Sequence, residues 1–277
     1  MATLYDTKIE INNVEYGISA VDLGNSRVKI HHDDVFLSFP YDKEWKKNVQ
    51  HHFRDHTNRR YLIGLSSVNP KQTTAIVKVL QRIPGHLVIN AHSLLMRTDY
   101  LLRLGDVENA GMDRLMGAIG AMNQQGAPLI TVDCGTAVTV NAVSADKTFL
   151  GGLIFAGINT QLFGLFKQTA GIPETEYEVP LDTVGTNTNA SLLAGVSLSV
   201  IGGITLAVRE IQKQHFGGTT VPVIITGGEG NRILEGLRTN GIEARYHQHL
   251  VTDGILTLLA AAKPIDIQDT IIEKIRL

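Results

Sequence analysis

The chain has 277 residues and a mass of 30.2 kDa, with 43% hydrophobic residues, enough for one large core or two moderate ones without disulfides or a structural metal. Lys and Arg total 25 against 27 Asp and Glu, a formal charge of −2 with no long basic stretch, which argues against nucleic acid or an anionic membrane as partner. The one cysteine, Cys134, has no internal partner, as suits a reducing compartment, and no uninterrupted apolar run is read as reaching the roughly 18 residues of a membrane span, so a cytoplasmic protein is expected.

In chain order, period-two alternation and short apolar runs predict strands near 18–21, 28–31 and 35–38, followed by a helix over 42–53. A strand near 61–64, a helix over 70–81, a strand near 87–89 and a helix over 112–122 come next. Three strands, near 130–132, 138–143 and 153–155, precede helices over 160–169 and 191–214. A strand near 223–225, a helix over 231–237, a strand near 243–246 and a helix over 252–261 complete the series. Mixed elements in this order predict an α/β fold, and the 191–214 segment, apolar around most of its circumference, is expected deep in the protein. No low-complexity tether interrupts the chain, so domains at 1–108 and 109–277 are expected to share an interface.

Two segments echo one another. Val21-Asp22-Leu23-Gly24-Asn25-Ser26 and Val132-Asp133-Cys134-Gly135-Thr136-Ala137 each follow one apolar strand and precede another. Each ends a strand on a carboxylate, then offers a glycine able to adopt positive φ, then a small hydroxyl residue within the same turn. Backbone N–H groups and a hydroxyl suit phosphate, and the carboxylate suits a hydrated cation. Asp-x-Gly is also common in plain hairpin turns, and it is the pairing that points to a nucleotide. A third signal, Thr226-Gly227-Gly228-Glu229-Gly230, follows a strand and opens a helix, where the missing side chains would let adenine or ribose approach. It has neither the Rossmann nor the Walker order and is equally an ordinary strand-to-helix turn.

With Gly111-Met112-Asp113-Arg114, Gly151-Gly152-Leu153-Ile154 and Asn187-Thr188 added, the ordered set resembles the type III pantothenate kinases over about residues 18–262. That resemblance implies a duplicated ribonuclease-H-like (actin-like) fold in two domains, with the active site in the cleft between them. It implies transfer of the ATP γ-phosphate to pantothenate at the first step of coenzyme A synthesis, by a homodimer using Mg²⁺ and a monovalent cation, K⁺ or NH₄⁺. Asp113 would be the catalytic base. Asp22, Gly24, Asn25, Ser26, Lys29, Thr136, Gly227 and Gly228 would bind ATP, with Asp22 reaching Mg²⁺ through water. Asp133 would hold the monovalent cation, and Gly111, Met112, Asp113, Arg114 and Thr188 would contact pantothenate.

Each residue also has a plainer role. Asp113 favours a helix start, Arg114 suits a surface ion pair, Lys29 could point to solvent, Cys134 suits a buried filler, and Thr188 could cap the helix that follows. Leu104 and Val107 stand where the family usually has a tyrosine and a proline, with Tyr100 as a nearby substitute, and Ala156 replaces another family proline. The histidine groups, His52 with His56 and His31 with His32, Asp33 and Asp34, are expected on a solvated surface rather than around a metal. A kinase for a different small molecule, or a nucleotide-binding regulator, remains as an alternative on the same core.

Overall fold

The computed structural model describes residues 4–55 and 59–272. After a 3-10 turn, Leu4–Asp6, come β1 (Lys8–Ile11), β2 (Val14–Leu23), β3 (Arg27–His32), β4 (Val35–Pro40), α1 (Trp45–Asp55), β5 (Tyr61–Ser67), α2 (Pro70–Leu80), β6 (Leu87–Asn90) and α3 (Ala91–Leu95). They are followed by α4 (Met112–Gln125), β7 (Leu129–Cys134), β8 (Ala137–Val143), β9 (Phe149–Ala156), α5 (Ile158–Gln168) and α6 (Thr188–His215). The chain closes with β10 (Val223–Thr226), α7 (Gly230–Thr239), β11 (Ala244–Tyr246), α8 (Leu250–Ala261) and α9 (Pro264–Gln268).

Two compact units form, Met1–Gln124 with Leu250–Leu277, and Gln125–His249. They differ from the expected division at 108/109 because the chain leaves the first unit at the end of α4 and returns to it with α8. In the first unit the strand order is β4-β3-β2-β5-β6, with β1 paired to β2. β2 runs antiparallel to β3, β3 antiparallel to β4, and β5 and β6 lie parallel to β2 and to each other in turn. In the second the order is β11-β10-β7-β8-β9, where β7, β8 and β9 are antiparallel neighbours and β10 and β11 continue in parallel from β7. Numbered from its own first long strand, each sheet reads 3-2-1-4-5. The halves are therefore a duplication of one ribonuclease-H-like sheet, the fold expected from the sequence.

Each unit has its own core. Val21, Ile30, Phe53, Ile63, Ile76 and Val88 belong to the first, and Ile130, Val140, Val200, Val208, Ile225 and Leu237 to the second. In the first unit α8 is held very close on two sides. A Cβ at Gly64 of β5 would lie 2.6 Å from Ile255 Cγ2, and one at Gly120 or Gly254 would overlap the backbone of the opposing helix where α4 and α8 cross. Only glycine permits that crossing distance.

Sequence spacing located the elements better than their ends. The helix expected from Asp42 starts at Trp45, because Asp42 Oδ1 accepts the Glu44 and Trp45 N–H groups at 2.9 Å each and stops the helix ahead of itself. β9 begins four residues earlier than its apolar signal, the glycines at 151 and 152 having masked the strand pattern. α6 buries one side and exposes another at Leu198 and Leu206, where the apolar circumference predicted a helix deep in the protein. By length and composition it is apolar enough to cross a membrane, contrary to the reading that no such run exists. Of its most apolar stretch, 61% is buried, as in a helix that packs one side on a core.

Candidate active site

The first Asp-x-Gly turn joins β2 to β3. Asp22 lies opposite Lys29 on β3 and Ser66 on β5, so the three side chains share one sheet face. The Asp22 carboxylate is buried, and Lys29 Nζ approaches its Oδ2 at 3.8 Å while staying about one-third exposed. Lys29 thus lies on the same face as Asp22, its ammonium between that carboxylate and solvent. Asn25 and Ser26 form the exposed tip. Gly24 N–H donates to Arg27 O at 3.1 Å. Its φ is not positive and a Cβ would meet Arg27 O at an ordinary 3.5 Å, so the expected left-handed glycine is absent here, as it is at Gly135.

One contributor was not foreseen. Tyr41, just after β4, donates its hydroxyl to Gly24 O at 2.9 Å and its N–H to Ser26 O at 3.4 Å, and its ring packs edge-on against Trp45. Burial, and secondarily the Asp22 charge, push the Tyr41 hydroxyl far above the usual tyrosine range, so it remains a donor. Nothing near the Asp-x-Gly motif announces a tyrosine that arrives across the β3–β4 hairpin.

Asp113 stands in the first turn of α4, half-buried, where the helix dipole favours a carboxylate. Its Oδ1 accepts the Arg114 N–H at 2.8 Å and sits 2.6 Å from the place a Cβ on Gly111 would occupy. Gly111 therefore leaves the space in which the Asp113 carboxylate rests. Met112 is buried behind it. Burial lowers the Arg114 guanidinium from its ordinary range, and the Asp113 charge opposes that shift. Leu104 and Val107 form a turn upstream, Val107 N–H donating to Leu104 O at 3.1 Å. Tyr100, the nearby substitute, donates its hydroxyl to Ala261 O at 2.9 Å.

In the second unit, the turn between β7 and β8 carries Asp133, half-buried, and Thr136, exposed. Two later segments brace it. Gly157 N–H and the Thr160 hydroxyl both donate to Thr136 O, at 3.0 and 2.6 Å, and Glu229 N–H donates to Cys134 O at 3.1 Å. Gly227 has φ +92°, and a Cβ there would run into Cys134 O and Asp133 Oδ1. The glycine requirement that sequence placed in the Asp-x-Gly turns thus belongs to Gly227, while a Cβ on Gly228 would meet nothing within 4 Å. Asn159, which sequence reading passed over, donates to Glu229 of the third glycine segment at 3.2 Å beside this turn. Burial, then the Asp133 and Glu229 charges, push the Cys134 thiol up, so it is a poor nucleophile.

Thr188 opens α6 and is exposed, and it is not the cap. Asn187 takes that role, its Oδ1 accepting Ala190 N–H at 2.9 Å. The histidines also depart from expectation. His31 and His32 are buried beneath the helices that cover β3, His32 Nε2 lies 2.6 Å from His52 Nε2, and His56 falls outside the described residues. Among the described residues, no cluster of three or more His, Cys, Asp or Glu side chains could hold a metal.

These turns occupy the same topological position in both sheets, between the first and second strands of the 3-2-1-4-5 order. The fold is shared with a Baf family transcriptional activator from Campylobacter jejuni, at 19% identity and TM-score 0.56 over 87% of this chain and 96% of that one. It is also shared with an activator of 2-hydroxyisocaproyl-CoA dehydratase from Clostridium difficile, at 10% identity and TM-score 0.51 over 91% and 96%. A type III pantothenate kinase of Sulfurihydrogenibium sp. is 32% identical over 87% of this chain and 98% of its own length, and one from Bifidobacterium adolescentis 27% identical over 86% and 96%. The family model for type III pantothenate kinase matches residues 19–210. The chain belongs to the type III pantothenate kinase family.

Proposed function

We propose that the chain transfers the γ-phosphoryl group of ATP to the primary hydroxyl of pantothenate, giving 4′-phosphopantothenate for coenzyme A synthesis, with Asp113 as general base. Family membership supplies the reaction. The observation that carries the residue assignment is the recurrence of an Asp-x-Gly turn at one position of two duplicated sheets, with a third carboxylate seated at a helix start. In the first turn Gly24 closes the backbone onto Arg27 O, and the exposed tip at Asn25 and Ser26 offers N–H groups and a hydroxyl to phosphate, with Lys29 beside them. Thr136, Gly227 and Gly228 are the ATP contacts of the second unit. Asp113 accepts the hydroxyl proton as the new O–P bond forms and the bond to ADP breaks. Arg114 binds the pantothenate carboxylate, and Thr188 contributes its exposed hydroxyl to the same substrate.

Asp22 fits a hydrated Mg²⁺, being a hard oxygen donor next to the turn assigned to phosphate. Asp133 fits a monovalent cation, since its Oδ1 and Cys134 O, both oxygen donors, converge at Gly227. When bound, these cations supply charge neutralisation at the phosphates. The second unit supports the proposed homodimer. The outer face of α6 runs through Gly195, Leu198, Ser199, Gly202 and Leu206 without a charge, and Leu206 is 62% exposed. Light scattering is expected to give about 60.4 kDa, twice 30.2 kDa, and a mass of 30.2 kDa would reject the dimer. A cytoplasmic location is proposed with it, and cell fractionation tests that by recovering the chain with soluble proteins.

A coupled assay of ADP release tests the mechanism. Release is expected to depend on pantothenate and to rise with potassium. Asp113→Asn should lower kcat by about 10²-fold with ATP binding retained. Asp133→Ala should chiefly remove the potassium response. Near-normal turnover in Asp113→Asn would take that residue out of the mechanism, and turnover with a different alcohol only would leave a kinase with another acceptor.

A further inference from the structure

The first unit buries a polar cluster that neither Asp-x-Gly turn uses. His31 on β3 is 4% exposed, Asp253 on α8 is 1% exposed, and Thr252 beside it is 2% exposed. His31 Nδ1 lies 3.0 Å from Asp253 Oδ1 and 3.3 Å from Thr252 Oγ1. A carboxylate only accepts, so Nδ1 carries the proton and donates. The imidazole is also held edge-on by Phe36 of β4.

The placement of this cluster is what gives it a consequence. His31 stands opposite Ala20, which stands opposite Gly64, and two residues further along the same strands is the row Lys29, Asp22 and Ser66. Both rows share one sheet face, about 7 Å apart. α8 covers the first row, with Ile255 and Leu259 against Gly64 and with Asp253 and Thr252 on His31. Its other side, through Leu250 and Gly254, meets α4 at Gly120 and Met116. α4 carries Asp113 in its first turn, about one to two turns before that crossing. α8 is therefore a spacer between the strands that carry Asp22 and Lys29 and the helix that carries Asp113.

The glycine contacts set how closely α8 approaches β5 and α4, but they are non-directional and do not by themselves hold it against a small slide along the sheet. A directed hydrogen bond in a dry interior does not tolerate it. Well-packed apolar side chains are often as stabilising as a buried polar pair, so fold stability alone gives weak reason for the cluster. We infer that His31, Asp253 and Thr252 are positioning residues that fix the register of α8, and through it the place of Asp113 relative to Asp22 and Lys29. The inference rests on the role given above to Asp113.

The ADP-release assay tests it as a split between kcat and KM. Asp253→Ala is expected to lower kcat by at least about tenfold, the scale on which small misplacements act. KM for ATP and pantothenate should stay within about twofold, and Asp253→Asn, which keeps an acceptor for His31, should recover most of the rate. In an Asp113→Asn background, Asp253→Ala should change the residual rate by less than about twofold, because the group being placed is gone. Unchanged kcat in folded Asp253→Ala, or an equal loss in both backgrounds, overturns the inference. Should Asp253→Ala fail to fold, Thr252→Val keeps the side chain's size while removing the 3.3 Å contact to His31, and the same split is expected; unchanged kcat there overturns it equally. Normal turnover in Asp113→Asn rejects the base assignment itself, whereas normal turnover in Asp253→Ala beside an impaired Asp113→Asn rejects the positioning alone.

Discussion

Tyr41 shows how a single hydroxyl enters a site from outside its motif. Its bond to Gly24 O holds the carbonyl side of the first turn, beside the exposed tip at Asn25 and Ser26. A net hydrogen bond of this kind contributes about 1 kcal/mol, or about fivefold in an equilibrium. Tyr41→Phe keeps the ring against Trp45 and removes only the donor, so KM for ATP is expected to rise about fivefold with little loss of stability. An ATP titration in the ADP-release assay measures it, and an unchanged KM would show that the turn holds its shape without Tyr41. Asp22, Asp113 and Asp133 could be picked out as candidates in sequence because each carboxylate stands two residues from a glycine at a strand end or a helix start, and the structure places them at such ends. Tyr41, Gly157 and Asn159 were not, because only strand pairing and helix placement bring them to the turns. Gly227 was visible as a glycine, but neither its φ of +92° nor the approach of the Cys134 carbonyl that excludes a Cβ there is written in the local sequence.

At the scale of elements, helices with strong caps or spacing were read well and those defined by contacts were not. α2 begins at the expected Pro70 because Asn69 accepts Gln72 N–H and proline suits the first helical position. α6 starts three residues before the expected Ser191, since Asn187 rather than the apolar pattern fixes its first turn. The crossing of α4 and α8 had no sequence signature, as Gly117, Gly120 and Gly254 read only as weak helix formers. Their contacts separate them. A Cβ at Gly254 would overlap Met116 O, whereas one at Gly117 would lie 4.0 Å from Val251 Cγ2. Gly254→Ala is therefore expected to destabilise by about 1–3 kcal/mol through overpacking. Gly117→Ala is expected to be neutral or to stabilise by up to about 1 kcal/mol, as alanine is the better helix former. Urea denaturation of the two variants side by side decides this, and equal stabilities would mean that the helices cross with room to spare.

For the molecule as a whole, the two echoing turns correctly announced a duplication, while the domain boundary was misplaced. Sequence order hides the return of the chain: α8 follows the last strand of the second sheet yet packs on β2, β3 and β5 of the first. The second unit is uninterrupted, and its buried cluster lies entirely between Ile130 and Ala244. It also contains one complete five-stranded sheet and α5 to α7. At 125 residues, from Gln125 to His249, it is in the size range of an independent domain. The segment 125–249, expressed alone, is expected to melt in one cooperative transition by circular dichroism. The complementary truncation, 1–249, loses α8 and α9 and with them Ile255, Leu256, Leu258, Leu259 and Ile267, all buried in the first unit. Removing that many core side chains exceeds the margin by which a domain of this size is stable. Proteolysis of the 1–249 chain should therefore degrade the first unit and leave a resistant fragment within 125–249. If 125–249 gave no cooperative melt, or if 1–249 resisted proteolysis along its length, the two sheets would not be separate folding units.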